Sequence, residues 1–176
     1  YVAYAYFNAL PKGRRKMCEA RDILMAEIER QSNSDGGSRE QAFGYQIFVL
    51  SLYLAALSAA RGVGDSWPSA FWRRFSLMVR YLEALSPDGR PLAWYGDADD
   101  GYALDLNNDP RDVRSIVEWA ELLVGQQRAP CEIVQWIPAA KNEPAAAEFE
   151  NSRPAPQSVG FPETGYYILS ARSPDG

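Results

Sequence analysis

The sequence predicts a mainly α-helical fold of helical hairpins, followed by a short β-region near its C-terminal end. Apolar residues recur at helical spacing over four stretches, residues 14–31, 39–61, 66–85 and 109–124. The first and third stretches each end in a Ser/Asp/Gly turn, which predicts two helical hairpins in tandem. Beyond these stretches prolines become frequent and exclude long helices, while residues 165–172 have the composition of a strand between turns.

The first two predicted helices differ in character. Residues 14–31 carry apolar side chains on one face and charged side chains on the other, as an amphipathic helix does. Residues 39–61 are apolar nearly all round, which predicts burial among other helices. Polar and aromatic groups interrupt this apolar run, so a membrane span is not expected. Ser38 and Gln41 have the spacing of a capping box, and we expect the second helix to begin there.

The later elements are predicted from their start and stop signals. Pro68 suits the first turn of the third helix, which stops at the turn of residues 86–89. Asp109 can cap the fourth helix. Between these helices, residues 90–108 are too rich in Gly and Asp for a regular element and predict an ordered functional loop. After the strand, residues 173–176 predict a hairpin turn.

Composition excludes several classes of function. The chain has a net charge of -5, which argues against nucleic acid as a partner because phosphate binding needs clustered Lys and Arg. It contains no His, which excludes a Ser-His-Asp or Cys-His site and a His-ligated zinc site within these residues. Cys18 and Cys131 lack metal-type spacing and are expected to be buried apolar side chains. No metal site and no cofactor are predicted.

The first candidate site lies at the start of the most apolar helix. At helical spacing Gln41 and Tyr45 share a face, which would place an amide and a phenol about one turn apart, and Gln46 follows directly. One interpretation is a core aromatic residue with a satisfied hydroxyl. The other is that Tyr45 faces a cleft and transfers protons.

The second candidate site is the acidic loop that contains Asp97, Asp99 and Asp100. It lacks the EF-hand pattern expected of a calcium loop. It could be a solvated turn, a loop that holds sugar hydroxyls, or an acid/base pair of glycosidase type. Aromatic rings can stack on sugars, although each one taken singly is better explained as a core residue; the tryptophans are Trp67, Trp72, Trp94, Trp119 and Trp136.

Three short segments together resemble one enzyme family. Residues 34–45 read Ser-Asp-Gly-Gly-Ser-Arg-Glu-Gln-Ala-Phe-Gly-Tyr, residues 96–101 read Gly-Asp-Ala-Asp-Asp-Gly, and residues 161–167 read Phe-Pro-Glu-Thr-Gly-Tyr-Tyr. In order and separation they are similar to the bacterial heparinase II/III-like polysaccharide lyases. The resemblance spans nearly the whole chain.

The resemblance implies a fold and a division of the chain. Residues 1–128 would be helical hairpins of an incomplete α/α toroid, residues 129–158 a Pro/Ala-rich linker, and residues 159–176 the first strand or strands of an antiparallel β-sandwich. The chain begins without Met and ends within a turn, so we expect an internal piece of a longer protein. The family implies a periplasmic or secreted location. Apolar helix faces left uncovered would favour oligomers.

The resemblance also implies a reaction. These enzymes cleave polysaccharides that contain uronic acid, of heparin, heparan or alginate type, by β-elimination, and Tyr45 matches the catalytic tyrosine. The partner would be an acidic polysaccharide or oligosaccharide. Because the chain is itself acidic, a few local hydrogen-bond donors, rather than the overall charge, would bind the charged groups of the substrate. The expected substrate-binding residues are Glu40, Gln41, Gln46, Trp94, Asp97, Asp99 and Asp100. The family's Asn-His pair would precede Tyr1 in a longer chain, and its further His would follow Gly176.

One residue departs from the family pattern, and two other functions remain open. Many members have His after the catalytic tyrosine, whereas this chain has Gln46, a neutral amide that cannot titrate. This departure is consistent with a non-standard subgroup. The alternatives are an α/α-toroid glycoside hydrolase that uses the loop carboxylates with water, and an inactive helical module that binds carbohydrate.

Overall fold

The computed structural model describes residues 1–97, 113–123 and 158–171. These residues form a mainly helical fold with one small antiparallel sheet. The helices are α1 (Val2–Tyr6), α2 (Gly13–Gln31), α3 (Phe43–Gly62), α4 (Ser69–Leu85) and α5 (Arg114–Leu123), with a 3-10 turn at Pro87–Gly89. The strands are β1 (Val159–Phe161) and β2 (Tyr166–Ile168).

Helix α3 lies at the centre of the core. It packs against α1, α4 and α5, while α2 packs against α1 and α4. Its all-round apolar sequence allows contact with three helices at once, as the sequence predicts. Among the described residues α3 is the one helix long and apolar enough to cross a membrane, and 67% of that window is buried inside the fold. Such burial is also typical of a core helix.

The N-terminal part of the chain is tied to the helical core by polar contacts. The Arg21 guanidinium donates to Asp65 at 2.6 Å, and the Tyr1 hydroxyl donates to the other oxygen of the same carboxylate at 2.6 Å. Elsewhere on α2, Glu29 pairs with Arg74 of α4. Helix α2 is therefore fixed to its neighbours by ion pairs as well as by its apolar face.

The start of α3 differs from the prediction. The helix begins at Phe43, not at residue 39, and the predicted capping box is absent: the Ser38 hydroxyl accepts from the Glu40 backbone. Gln41 has a left-handed backbone with φ of 55°, which ends any helix there. Its side chain bonds to a residue 123 positions further along the chain. A contact with a distant segment therefore overrides the local preference for an earlier start.

The C-terminal strand lies where the sequence predicts it, but its pairing differs. Strand β2 pairs antiparallel with β1, which precedes it, with Phe161 opposite Tyr166. The sequence predicts a first strand continuing into a turn at residues 173–176, and those residues lie outside the described part. The observed turn is at residues 162–165. We refer to residues 158–171 as the hairpin.

Candidate functional site

Three segments that are far apart in the sequence meet at the N-terminal end of α3. They are the turn and approach to the helix, residues 33–45; the loop of residues 94–96; and the hairpin turn with one strand residue on each side, residues 161–166. We call this assembly the α3 entrance. Its components include parts of all three segments that carry the family resemblance.

Asp35 joins the first segment to the hairpin. Its two carboxylate oxygens accept from the Thr164 backbone N–H at 2.9 Å and from the Thr164 hydroxyl at 2.5 Å. Burial alone would raise the pKa of Asp35, but the hydrogen bonds from Thr164 and from the backbones of Gly37 and Glu163 hold this pKa below its usual value. The carboxylate is therefore charged at neutral pH and surrounded by donors.

Gln41 makes a second bond to the same turn. Its side-chain amide donates to the Thr164 carbonyl at 3.1 Å. The residue remains exposed, and its left-handed backbone is uncommon for a residue with a side chain. Backbone conformations of this kind persist only where the surroundings hold them in place. The contact with Thr164 is one such restraint.

The loop of residues 94–96 covers the first turn of α3. The Phe43 N–H donates to the Tyr95 carbonyl at 3.0 Å, so a backbone group of the helix start is satisfied by the loop. Gly96 has φ of +73°, and a Cβ there would lie 2.6 Å from the Ala42 Cα. Only glycine allows this approach.

Aromatic rings fill the space beneath the entrance. The Tyr81 and Tyr95 hydroxyls are 2.8 Å apart, and the Tyr95 ring lies 4.6 Å from that of Tyr166. Burial raises the pKa of Tyr95 to about 12, and burial with the bond to Tyr95 raises the pKa of Tyr81 further. Both phenols therefore stay neutral, and their role in this position is to support the loop and the hairpin.

Tyr45 lies in the first turn of α3. Within the described part of the chain its hydroxyl has no hydrogen-bond partner, and it is not among the buried polar atoms that lack one. The side chain is partly exposed, whereas its neighbours Gly44 and Gln46 are buried.

Gln46 is placed where a substrate cannot reach it. The side chain is 0% exposed, and its amide nitrogen donates to the Gly36 carbonyl at 3.1 Å and to the Met78 carbonyl at 3.0 Å. The expected substrate contact at Gln46 is corrected accordingly: the residue joins the Gly36 turn to α4. Because the helix turns about 100° per residue, Gln46 faces the core although its neighbour Tyr45 reaches solvent.

The other predicted binding residues are distributed around the entrance. Glu40 and Asp97 are exposed. Trp94 is 40% exposed, and its ring packs edge-on against Phe43 with centroids 5.3 Å apart. Asp99 and Asp100 lie outside the described residues. Of the cysteines, Cys18 is a partly buried free thiol, and Cys131 also lies outside the described part.

The pairing between Asp35 and Thr164 has almost no signal in the sequence. Both residues suit turns locally, so the pattern around each indicates a turn and not a partner. They are separated by 129 positions. The one local hint is the pair of glycines after Asp35, since a Cβ on Gly37 would lie 2.2 Å from the Thr164 hydroxyl oxygen.

A small cavity lies at the other end of α3, away from the entrance. It is lined by Leu57, Ala60, Arg61, Asp65, Trp67, Trp72 and Leu123. Because α-helices rise about 1.5 Å per residue, this end is roughly 20 Å from Tyr45. The cavity is about the size of a water molecule and is not part of the α3 entrance.

In residues 1–97, 113–123 and 158–171, no group of three or more acidic, His or Cys side chains could hold a metal ion.

Comparison with known proteins adds no family assignment. No protein-family model, curated protein or solved structure matches this chain.

Proposed function

We propose that this chain is part of a polysaccharide lyase that cleaves a uronic-acid-containing polysaccharide by β-elimination, with Tyr45 as the proton-transferring residue. The observation that carries the proposal is the α3 entrance. Segments that resemble the heparinase II/III-like family, two of them more than a hundred residues apart, contact one another there around the start of α3, and the partly exposed Tyr45 lies in the first turn of that helix.

The chemistry requires one proton to leave and another to be delivered. Neutralising the substrate carboxylate makes the C5 proton more acidic; a base removes it, and an acid protonates the departing O4 oxygen. A phenolic hydroxyl can donate its proton to the departing oxygen, which suits the second step. Tyr45 is partly exposed and its hydroxyl has no hydrogen-bond partner within the described residues, which supports its availability to a substrate oxygen.

The surroundings of Tyr45 suit a sugar chain. The exposed indole of Trp94 offers a flat apolar face to sugar C–H groups. Gln41, Glu40 and Asp97 present amide and carboxylate groups at the surface of the same entrance, and such groups bond sugar hydroxyls. Gln46 is left out of the proposed substrate site because its amide is used inside the core.

At the level of the whole protein, the proposal includes the fold and location that the resemblance implies. The helices would belong to an incomplete α/α toroid and the hairpin to an antiparallel β-sandwich, with the substrate between them. The enzyme would act in the periplasm or outside the cell on an acidic polysaccharide. Neither a metal nor another cofactor enters the proposed reaction.

Replacing Tyr45 by Phe tests the reaction directly. We expect Tyr45→Phe in the intact protein to lower the rate of elimination about 10²- to 10⁴-fold, the usual contribution of a positioned acid or base, with little change in thermal stability. The measurement is the near-ultraviolet absorbance of the unsaturated uronic acid released from alginate or heparan sulfate. Tyr4→Phe, at an exposed position in α1, serves as the control.

The products separate the alternatives. Wild-type turnover by Tyr45→Phe would contradict the role of this residue. New reducing ends without unsaturated products would instead indicate a glycoside hydrolase that uses carboxylates with water. Binding of both polysaccharides without cleavage would indicate a carbohydrate-binding module.

A further inference from the structure

We propose that Asp35 and Thr164 are a positioning pair for Tyr45, acting through Gln41 and the first turn of α3. This inference rests on the proposed function and deepens it by assigning residues that do not touch the substrate. The pair joins the hairpin to the approach of α3 through both oxygens of one carboxylate. Hydrogen bonds to a charged acceptor are about twice as strong as neutral ones.

The contact requires close approach. Gly37 is buried and does not have a positive φ, so its lack of a side chain is not required by its backbone conformation. It is required by space, since a Cβ would lie 2.2 Å from the Thr164 Oγ1 and 2.4 Å from its Cγ2. Asn33 completes the contact by donating its side-chain amide to the Thr164 hydroxyl oxygen at 3.3 Å.

The same hairpin turn determines where α3 begins. The Gln41 side chain bonds to the Thr164 carbonyl while its backbone is left-handed, and the helix starts two residues later. Left to local preference, Ser38 and Gln41 favour a capping box and an earlier helix start. Docking of Thr164 therefore stabilises the observed start, and Tyr45 lies in the turn that is fixed in this way.

Buried neighbours give the contact a rigid base. The Phe161 ring lies 4.8 Å from that of Tyr81, and Thr164 is itself buried. The hairpin turn is thus held on one side by aromatic packing and on the other by Asp35. A displacement of about 1 Å at a reacting group can cost roughly 10²-fold in rate, so loss of this restraint should reach Tyr45.

The test compares variants that open the contact with variants that preserve it. Thr164→Val keeps the shape but removes the hydroxyl, and Gly37→Ala inserts a methyl group into the contact. Thr164→Ser retains both donors to Asp35. Gly62→Ala is the matched glycine control, because nothing lies within 4 Å of a Cβ there. Each variant is measured by amide hydrogen exchange and by steady-state kinetics on alginate and heparan sulfate.

We expect Thr164→Val and Gly37→Ala to speed amide exchange at residues 161–166 and 41–43 at least about tenfold. Their kcat should fall about 10- to 100-fold with a smaller change in KM, because positioning is lost rather than binding. Thr164→Ser should keep the wild-type exchange rates and the wild-type kcat. Gly62→Ala should also leave both unchanged. Melting temperatures identify any variant that fails to fold. If either Thr164→Val or Gly37→Ala fails to fold, the other of the two tests the proposal.

Two results would overturn the pairing. Faster exchange with unchanged kcat would make the contact structural only, and unchanged exchange would show that it does not hold the hairpin. Absence of elimination activity in the intact wild-type protein is a different outcome: it removes the proposed function and this inference together. An active wild type with unaffected variants removes this inference alone.

Discussion

At its N-terminal end α3 is held by three other segments, whereas its C-terminal end is held mainly by side-chain packing. Phe43, Gln41 and Gln46 each bond to a different part of the chain. At the other end, the Trp119 indole donates to the Ser58 hydroxyl at 2.9 Å, the Arg61 guanidinium donates to the Leu122 carbonyl at 3.3 Å, and apolar residues pack around them. The N-terminal contacts fix where the helix begins, whereas the C-terminal contacts are made by side chains within the helix.

The glycines show the same difference. Gly36 and Gly96, at the N-terminal end, have positive φ and backbone atoms where a Cβ would be. Gly62 and Gly64, at the C-terminal end, have open space around that position. Glycine serves close approach at one end and chain reversal at the other. Substitutions should therefore be tolerated very differently at the two ends.

The largest expected effect is at Gly36. Gly36→Ala should destabilise the protein by about 3–5 kcal/mol, because a methyl group would lie 2.1 Å from the Leu77 carbonyl oxygen and the φ of +98° suits glycine alone. Gly64→Ala, at φ of +66° in open space, should cost only about 1–2 kcal/mol. Urea unfolding measures both. Equal losses would remove the contrast between the ends.

The next effect concerns the buried amide of Gln46. Gln46→Leu should cost about 1–3 kcal/mol, because the Gly36 and Met78 carbonyls lose their donor. Removing the Gln46 carbonyl oxygen, which has no partner within the described residues, partly offsets this loss. Ser58→Ala is the comparison at the other end, with an expected cost of about 1 kcal/mol. A larger loss of thermal stability in Ser58→Ala than in Gln46→Leu would contradict the importance of the buried Gln46 hydrogen bonds.

The smallest effect is a dependence on pH. Because the pKa of Asp35 is held low in the folded state, its stabilisation is present above the unfolded value of about 3.9 and is lost as pH falls through the folded value. Wild type should therefore be more stable than Asp35→Asn at pH 7, and the difference should shrink below about pH 4. The difference in melting temperature between the two proteins is the quantity to measure. A difference that persists at the lowest pH would argue against the charge of Asp35 as its source.

Local sequence pattern is sufficient for the longer helices. Periodicity locates α2 and α4 within a few residues, and the all-round apolar composition of α3 predicts its central position. Short elements are missed: β1 has three residues and α1 has five, too few to establish a period. The predicted hairpin turn at residues 173–176 and the helix cap at Asp109 lie outside the described residues.

The α3 entrance can be predicted only in its components. Sequence pattern identifies the three segments and places Tyr45, Gln41 and Glu40 at or near one end of a helix. Their joining through Asp35 and Thr164 is not foreseeable, because neither residue has a local pattern that indicates a partner so far along the chain. The inward turn of Gln46 is missed for a related reason: its partners are carbonyl groups on other elements.

The exposure of Trp94 provides an optical signal from the entrance. Of the four tryptophans in the described residues, Trp67 and Trp119 are buried and Trp72 is partly buried, whereas Trp94 is open to solvent. Among these four, a water-soluble quencher should therefore reach the Trp94 indole first. Occupancy of the surface beside Phe43 would then be visible as lost quenching and a blue-shifted emission, without attaching a dye.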